Sequence, residues 1–186
     1  MTKFKEYFAP TVVLFLVCLI AAFLLGATNQ VTAPRIEQIQ YDNEVAARKV
    51  VFAAADSFGD PAESSAEGVK TVVPALDADG KVIGCVVTAV TKGYGGDITV
   101  MTGVDADGAV TGVSILDMSE TAGLGANAKK QSFRDQFIGK IAGVTVSKDQ
   151  PGENAIDALT GATITSRAVT RAVNASIEAA GGVLNG

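Results

Sequence analysis

The sequence predicts an α+β protein: a single N-terminal transmembrane helix, then one extracytoplasmic domain in which an antiparallel sheet packs on helices. Three observations carry that prediction. Residues 7–34 hold no charge and contain an apolar run long enough to cross a bilayer. Two copies of Asp-Ala-Asp-Gly, at 77–80 and 105–108, each separate a pair of β-rich runs. Helical periodicity then follows the strands, the order expected of an α+β sandwich.

Four segments follow: 1–7 as a cytoplasmic N-terminus, 8–28 as the membrane anchor, 29–68 as helix and linker, and 69–186 as the globular domain. The run from Phe8 to Ala27 is about 20 residues, which at ~1.5 Å per residue spans ~30 Å of hydrocarbon. Pro10 lies in its first turn, where a missing N–H costs little. A cleaved leader would have a shorter apolar core and small residues at its cut site. Here Leu25 stands two before Ala27 and no lipobox surrounds Cys18, so a retained anchor is expected. Lys3 and Lys5 precede the run and the next basic residue is Arg35, which keeps the N-terminus cytoplasmic and the rest outside.

After a break near Asn29 to Pro34, residues 32–57 read as a helix, with Thr32 as cap and Ile36, Ile39, Val45, Val50 and Val51 at roughly helical spacing. Residues 58–68 are loop by composition. Strands near 69–76, 81–91, 97–104 and 109–116 form two consecutive hairpins, with the Gly of each Asp-Ala-Asp-Gly free to take a positive φ. Half of a calcium loop is the rival reading of that tetrapeptide. The acidic residue it needs six positions on is absent, Val86 and Ser114 standing there. Gln131–Lys140 reads as a short helix with Phe133, Phe137 and Ile138 on one side, and Val144–Val146 as a short strand. Residues 148–156 read as loop. Residues 166–180 read as a helix marked by Ala168, Val169, Ala172, Val173 and Ile177 and stopped by Gly181-Gly182.

Composition removes whole classes of chemistry. With no histidine there is no Ser-His or Cys-His triad, no histidine-ligated haem and no histidine zinc site. Two cysteines cannot hold an iron–sulfur cluster within the chain. Cys18 lies in the anchor and Cys85 in a strand, so they do not pair, and Cys85 fills core space. Twenty acidic residues against 15 basic ones leave a net charge of −5, which disfavours nucleic acid as a partner. No metal site is expected.

One stretch departs from ordinary structure: Asp157-Ala-Leu-Thr160-Gly161-Ala162-Thr163-Ile-Thr165-Ser166. Four hydroxyls crowd around a Gly-Ala pair just ahead of a helix. Gly161 and Ala162 let a large group approach the backbone. With Thr165 or Ser166 as N-cap, free N–H groups and the positive end of the helix dipole would lie just past Thr163 and favour a phosphate there. The plain reading is a polar loop that caps a helix.

Asp157-x-x-Thr160-Gly161-Ala162-Thr163 resembles the flavinylation motif of the FMN-binding domain family. That family includes the G subunit of the Rnf ion-translocating ferredoxin:NAD oxidoreductase and the C subunit of the sodium-translocating NADH:quinone reductase. Two further motifs stand in the family's order. Gly93-Tyr94-Gly95-Gly96 precedes an Ile-x-Val strand, and Glu120-Thr121-Ala122-Gly123-Leu124-Gly125 is similar to the family's Glu-Thr-Pro-Gly-Leu-Gly loop, with Ala122 in place of Pro. The quinone-reductase protein usually carries longer insertions, so at 186 residues the chain looks like the Rnf protein.

The resemblance implies FMN joined through its phosphate to the hydroxyl of Thr163, with Asp157, Thr160, Gly161 and Ala162 as the recognition element of a separate flavin transferase. Threonine is a weak nucleophile with no activating base in view, so self-flavinylation is not expected. The glycine loops 93–96 and 121–125, with Thr165 and Ser166, are expected near the flavin. Glu120 and Thr121 either hydrogen-bond ring or ribityl oxygens or sit in a solvated loop. Tyr94 either lies near the isoalloxazine or fills a strand-end core position. Lys129 and Lys130 either balance the phosphate or are surface charge. The partners implied are the other membrane and peripheral subunits of the complex, which would handle ferredoxin, NAD and the ion. The chain has no Gly-x-Gly-x-x-Gly after a strand and no charge within its anchor. The alternatives are a component similar to the quinone-reductase protein, a stand-alone extracellular flavoprotein and a non-redox membrane-anchored scaffold.

Overall fold

The computed structural model of the chain describes residues 2–64 and 66–184. The chain divides into two compact units, 1–43 and 44–186. Helix α1 is Thr2–Val51. It is the one helix among the described residues long and apolar enough to cross a membrane, with a mean hydropathy of 2.7 in its best window, none of it buried. The expected break near Asn29 to Pro34 is absent. Proline's fixed φ suits a helix, and Pro34 removes a single ladder bond on an exposed stretch. The helix also ends at Val51 rather than 57. Phe52 still donates its N–H to Arg48 O, but its side chain and that of Ala55 turn into the core of the second unit.

The second unit is a sheet covered on both faces. Two short strands, β1 (Ser57–Phe58) and β2 (Ala62–Glu63), pair antiparallel with β3 (Val69–Leu76). They correct the expectation of bare loop over 58–68, because a polar segment still satisfies its backbone along a free strand edge. An antiparallel meander follows through β4 (Val82–Lys92), β5 (Asp97–Asp105) and β6 (Val110–Met118), as the two expected hairpins require. Gly80 and Gly108 have φ of 78° and 81°, the left-handed conformation foreseen for the Asp-Ala-Asp-Gly turns.

Beyond β6, the expected helix over Gln131–Lys140 is shorter and less regular. A 3-10 turn at Gly125–Lys129 leads into α2 (Gln131–Arg134) and a second 3-10 turn at Asp135–Phe137. Gly139, at φ 75°, turns the chain away. Phe133 and Phe137 are buried edge to face, centroids 5.6 Å apart, whereas Ile138 is exposed and does not share their side. Strand β7 (Thr145–Val146) pairs in parallel with β8 (Ala155–Ile156), so the far end of the expected 148–156 loop is strand. Helix α3 is Thr163–Leu184. It begins before Thr165 and Ser166 and runs through Gly181-Gly182. Two late glycines cost about 1 kcal/mol each, too little to end a helix whose buried stripe continues to Ala180.

Strand alternation divides the core. Cys85, Val87, Ala89, Val100 and Val104 face α3, meeting Ala168, Val169, Ala172, Val173 and Ile177. Val73, Ala75, Val86 and Met101 face the other way, onto Ala47, Val51, Phe52 and Ala55. Burial pushes the Cys85 thiol up to about 12, which makes it an inert core group. Thr111 Oγ1 donates to Val51 O at 2.6 Å. The cross-strand pair Gly103 and Gly112 leaves room for that carbonyl, since a Cβ on either would strike it.

Candidate functional site

The β4–β5 turn, the loop after β6 and the first turn of α3 converge at one end of the sheet. Between them lies a cavity of about 550 Å³, within the usual range for a small-molecule site. Thr163, Gly161 and Ala162 form one wall, and Tyr94, Leu124 and Ile164 bring large apolar surfaces to it. Those three side chains are 73%, 45% and 49% exposed, so the pocket mouth is rimmed by uncovered apolar surface.

The four hydroxyls of the motif have four different fates. Ser166 is buried; its Oγ accepts the Leu159 N–H at 3.0 Å and donates to Ala162 O. Thr165 is buried and donates to Glu120 Oε2 at 2.7 Å. Thr160 is exposed and lies outside the pocket. Thr163 lines the pocket, half-buried, and its hydroxyl makes no hydrogen bond among the described residues. The expectation that Thr165 or Ser166 caps α3 is therefore corrected. The helix starts at Thr163, and its ladder opens with Ser166 N–H donating to Ala162 O at 3.0 Å. The N–H groups of Thr163, Ile164 and Thr165 thus precede the intrahelical ladder at the rim of the pocket.

The Asp157 end of the motif points elsewhere. Its carboxylate accepts from Ser147 Oγ at 2.9 Å and its N–H donates to Gln136 Oε1 at 2.7 Å, outside the pocket. Of the two glycine loops, Gly125 lines the cavity, and so do Glu120, Thr121 and Leu124. Gly93, Gly95, Gly96 and Gly123 do not. The close approach at Gly93 and Gly95 is to the chain itself: a Cβ would collide with Glu120 Oε1 at Gly93 and with Ser119 O at Gly95. Glu120 is no solvated loop residue, since its carboxylate accepts three hydrogen bonds. Tyr94 is exposed at the pocket rather than buried in the core.

Lys129 and Lys130 are exposed and lie outside the cavity, so the surface-charge reading holds for both. The cation that does line it, Lys148, escaped sequence reasoning. It sits in a polar loop 15 residues before Thr163, and no local pattern distinguishes it. Tertiary pairing presents it. Ser147 is tied to Asp157, and Asp149 to Arg167 of α3, with Arg167 Nε donating to Asp149 Oδ2 at 2.7 Å. The Arg167 guanidinium beside Asp149 holds that carboxyl below its ordinary value.

An α+β domain with a mixed apolar and cationic pocket at a helix start defines a small-molecule-binding class, and similarity to known proteins makes that class definite. The sequence profile of the FMN-binding domain matches residues 93–178, the span holding the β4–β5 turn, the Glu120 loop, Lys148 and the start of α3. The chain is 39% identical to the G subunit of the Na(+)-translocating ferredoxin:NAD(+) oxidoreductase complex of Acetobacterium woodii, over 94% of this chain and 91% of that one. It is 40% identical, with the same coverage, to the G subunit of the proton-translocating ferredoxin:NAD(+) oxidoreductase complex of Clostridium ljungdahlii. The chain therefore belongs to the G-subunit family of ion-translocating oxidoreductase complexes. The crystal structure of Shewanella oneidensis NqrC shares its fold, with a TM-score of 0.51 at 22% identity over 72% of each chain.

Proposed function

We propose that the chain is the membrane-anchored electron-transfer subunit of an ion-translocating ferredoxin:NAD oxidoreductase complex, and that it carries FMN as a phosphodiester on Thr163. One observation carries the attachment site. Of the motif's four hydroxyls, Thr163 alone both lines the pocket and is uncommitted to the fold. The residues present suit that group. Tyr94, Leu124 and Ile164 offer apolar surface for a flat ring system. Lys148 and the first-turn N–H groups offer positive charge for a phosphate. When bound, FMN supplies the redox chemistry, and the protein supplies binding, orientation and electrostatics.

Among the described residues lining the pocket, no uncommitted carboxylate stands ready to activate the threonine, since Glu120 already accepts three hydrogen bonds. A separate flavin transferase fits that absence, and the exposed Thr160 and outward-facing Asp157 give it something to recognise. The uncharged stretch in α1 anchors the chain, with the N-terminus cytoplasmic and residues 44–186 outside. Near-equal identity to a sodium-named and a proton-named relative suits a subunit that leaves ion selection to its partners.

Co-expression with a flavin transferase tests the attachment. The full chain is expected to run as a fluorescent band on a denaturing gel and to gain the mass of FMN less water. Thr163→Ala is expected to lose both signals entirely. A normal fluorescent band from that variant would remove Thr163 from the proposal.

A further inference from the structure

We propose that Glu120 is a positioning residue: its carboxylate joins the Gly93–Gly96 turn, the loop after β6 and the first turn of α3 into one wall, and it does not itself hold the flavin. The inference rests on the reading of the pocket as an FMN site. Oε1 accepts the N–H of Tyr94 at 2.8 Å and that of Gly95 at 3.0 Å. Oε2 accepts from Thr165 Oγ1 at 2.7 Å. These partners lie 25 to 45 residues away in sequence, so no local turn could bring them together. An ionised carboxylate has about four lone-pair sites, and three are used. Such charge-assisted bonds are roughly twice as strong as neutral ones.

Sterics point the same way. A Cβ at Gly93 or at Gly125 would overlap the Glu120 carboxylate. The two glycines thus clear space on either side of this group. Its partners sit beside the pocket's working parts. Tyr94 lines the cavity through its ring and meets Glu120 through its N–H. Thr165 is 1% exposed and lies two residues after Thr163 on the same helical turn. Glu120 therefore sets where Tyr94 stands relative to Thr163.

Glutamine can reproduce this arrangement without charge. Its single carbonyl oxygen accepts the two N–H groups, and its NH₂ donates to Thr165 Oγ1, which accepts equally well. Aspartate is one methylene short. Alanine leaves the buried Thr165 hydroxyl without its partner and releases the exposed Tyr94 and Gly95 N–H groups to water.

The test uses the full chain co-expressed with a flavin transferase, reading loaded fraction by intact mass and the flavin's visible circular dichroism. Glu120→Ala is expected to lower loading at least about tenfold and to flatten the dichroism of what remains. Glu120→Gln is expected to restore loading to within about threefold of wild type, and Glu120→Asp is not. Should Gln fail as badly as Ala while both melt normally, the carboxylate charge acts on the flavin and the proposal falls. Wild-type loading and dichroism in Glu120→Ala would also overturn it. If Glu120→Ala does not fold, Thr165→Val removes one of the three bonds and should alter the dichroism; an unchanged spectrum there counts against the proposal. Hydrogen exchange of the Tyr94 and Gly95 amides in flavin-free protein gives a readout that survives failure of the Thr163 reading. Exchange should quicken in Glu120→Ala and recover in Glu120→Gln, and equal rates in all three would refute the wall.

Discussion

The two ends of the central sheet are built on opposite plans. At one end the β3–β4 and β5–β6 turns share the sequence Asp-Ala-Asp-Gly and nearly the same geometry. Asp77 Oδ1 accepts the N–H groups of Asp79 and Lys81 at 3.0 and 2.8 Å, and Asp105 Oδ1 those of Asp107 and Ala109 at the same distances. Each Asp carboxylate makes its bonds within four residues, and one further bond leaves the second turn, the Ala106 N–H donating to Ile83 O of β4 at 3.1 Å. At the other end the β4–β5 turn and the loop after β6 are held by Glu120, whose partners come from distant segments. The cavity is at this second end. Turns whose side chains bond only their own backbone close a sheet, but a pocket needs segments brought together from far apart, and side chains spanning that distance become part of the site.

The sharpest way to break the comparison is a methyl group at each end. Gly95→Ala places a Cβ against Ser119 O and should cost about 1–3 kcal/mol by overpacking, with covalent flavin lost as well. Gly80→Ala meets nothing within 4 Å and suffers only from its φ of 78°, so about 1 kcal/mol is expected with loading unchanged. Melting temperature and intact mass check both. A loss of flavin in Gly80→Ala would mean the ends are not independent.

Asp77→Ala and Asp105→Ala sharpen it further. Each deletes two bonds to turn N–H groups and should cost on the order of 1 kcal/mol. The double variant should melt at the sum of the two effects, because the turns share no partner. Strong coupling between them would contradict the local action of the two carboxylates.

The smallest effect is expected from the solvent-exposed Asp149–Arg167 pair that ties the Lys148 turn to α3. Asp149 is held below its ordinary value in the folded state, so the pair's contribution is present above the ordinary aspartate range. It is lost as pH falls through the lowered folded value. Arg167→Gln should therefore melt slightly below wild type at neutral pH, with the gap closing in acid and in high salt. A gap that persists in strong acid would show that the pair is not its source.

Legibility followed the range of the interactions. The apolar N-terminal helix, the four main strands and both Asp-Ala-Asp-Gly turns were readable, since hydropathy, period-two alternation and Asx chemistry all act over a few residues. The ends of helices were not. Pro34 and Gly181-Gly182 are local breakers, but continued helix outweighs one missing bond or two glycines. Strands β1 and β2 exist only because the edge of β3 is open to them.

Within the site, the hydroxyl cluster was visible as a pattern, yet its members looked alike. Thr165 and Ser166 turn inward to Glu120 and Ala162, which leaves Thr163 distinct, and only folding separates them. Charge behaved in the same way: Lys129 and Lys130 lie closer in sequence to the glycine loop, while Lys148 is the one that faces the cavity. By itself the sequence determined the apolar N-terminal helix, the meander, its turns and the hydroxyl-rich segment that reaches the pocket. Which hydroxyl stays free, which cation faces it and which carboxylate holds the walls together were decided by tertiary structure, because each depends on contacts between residues tens of positions apart.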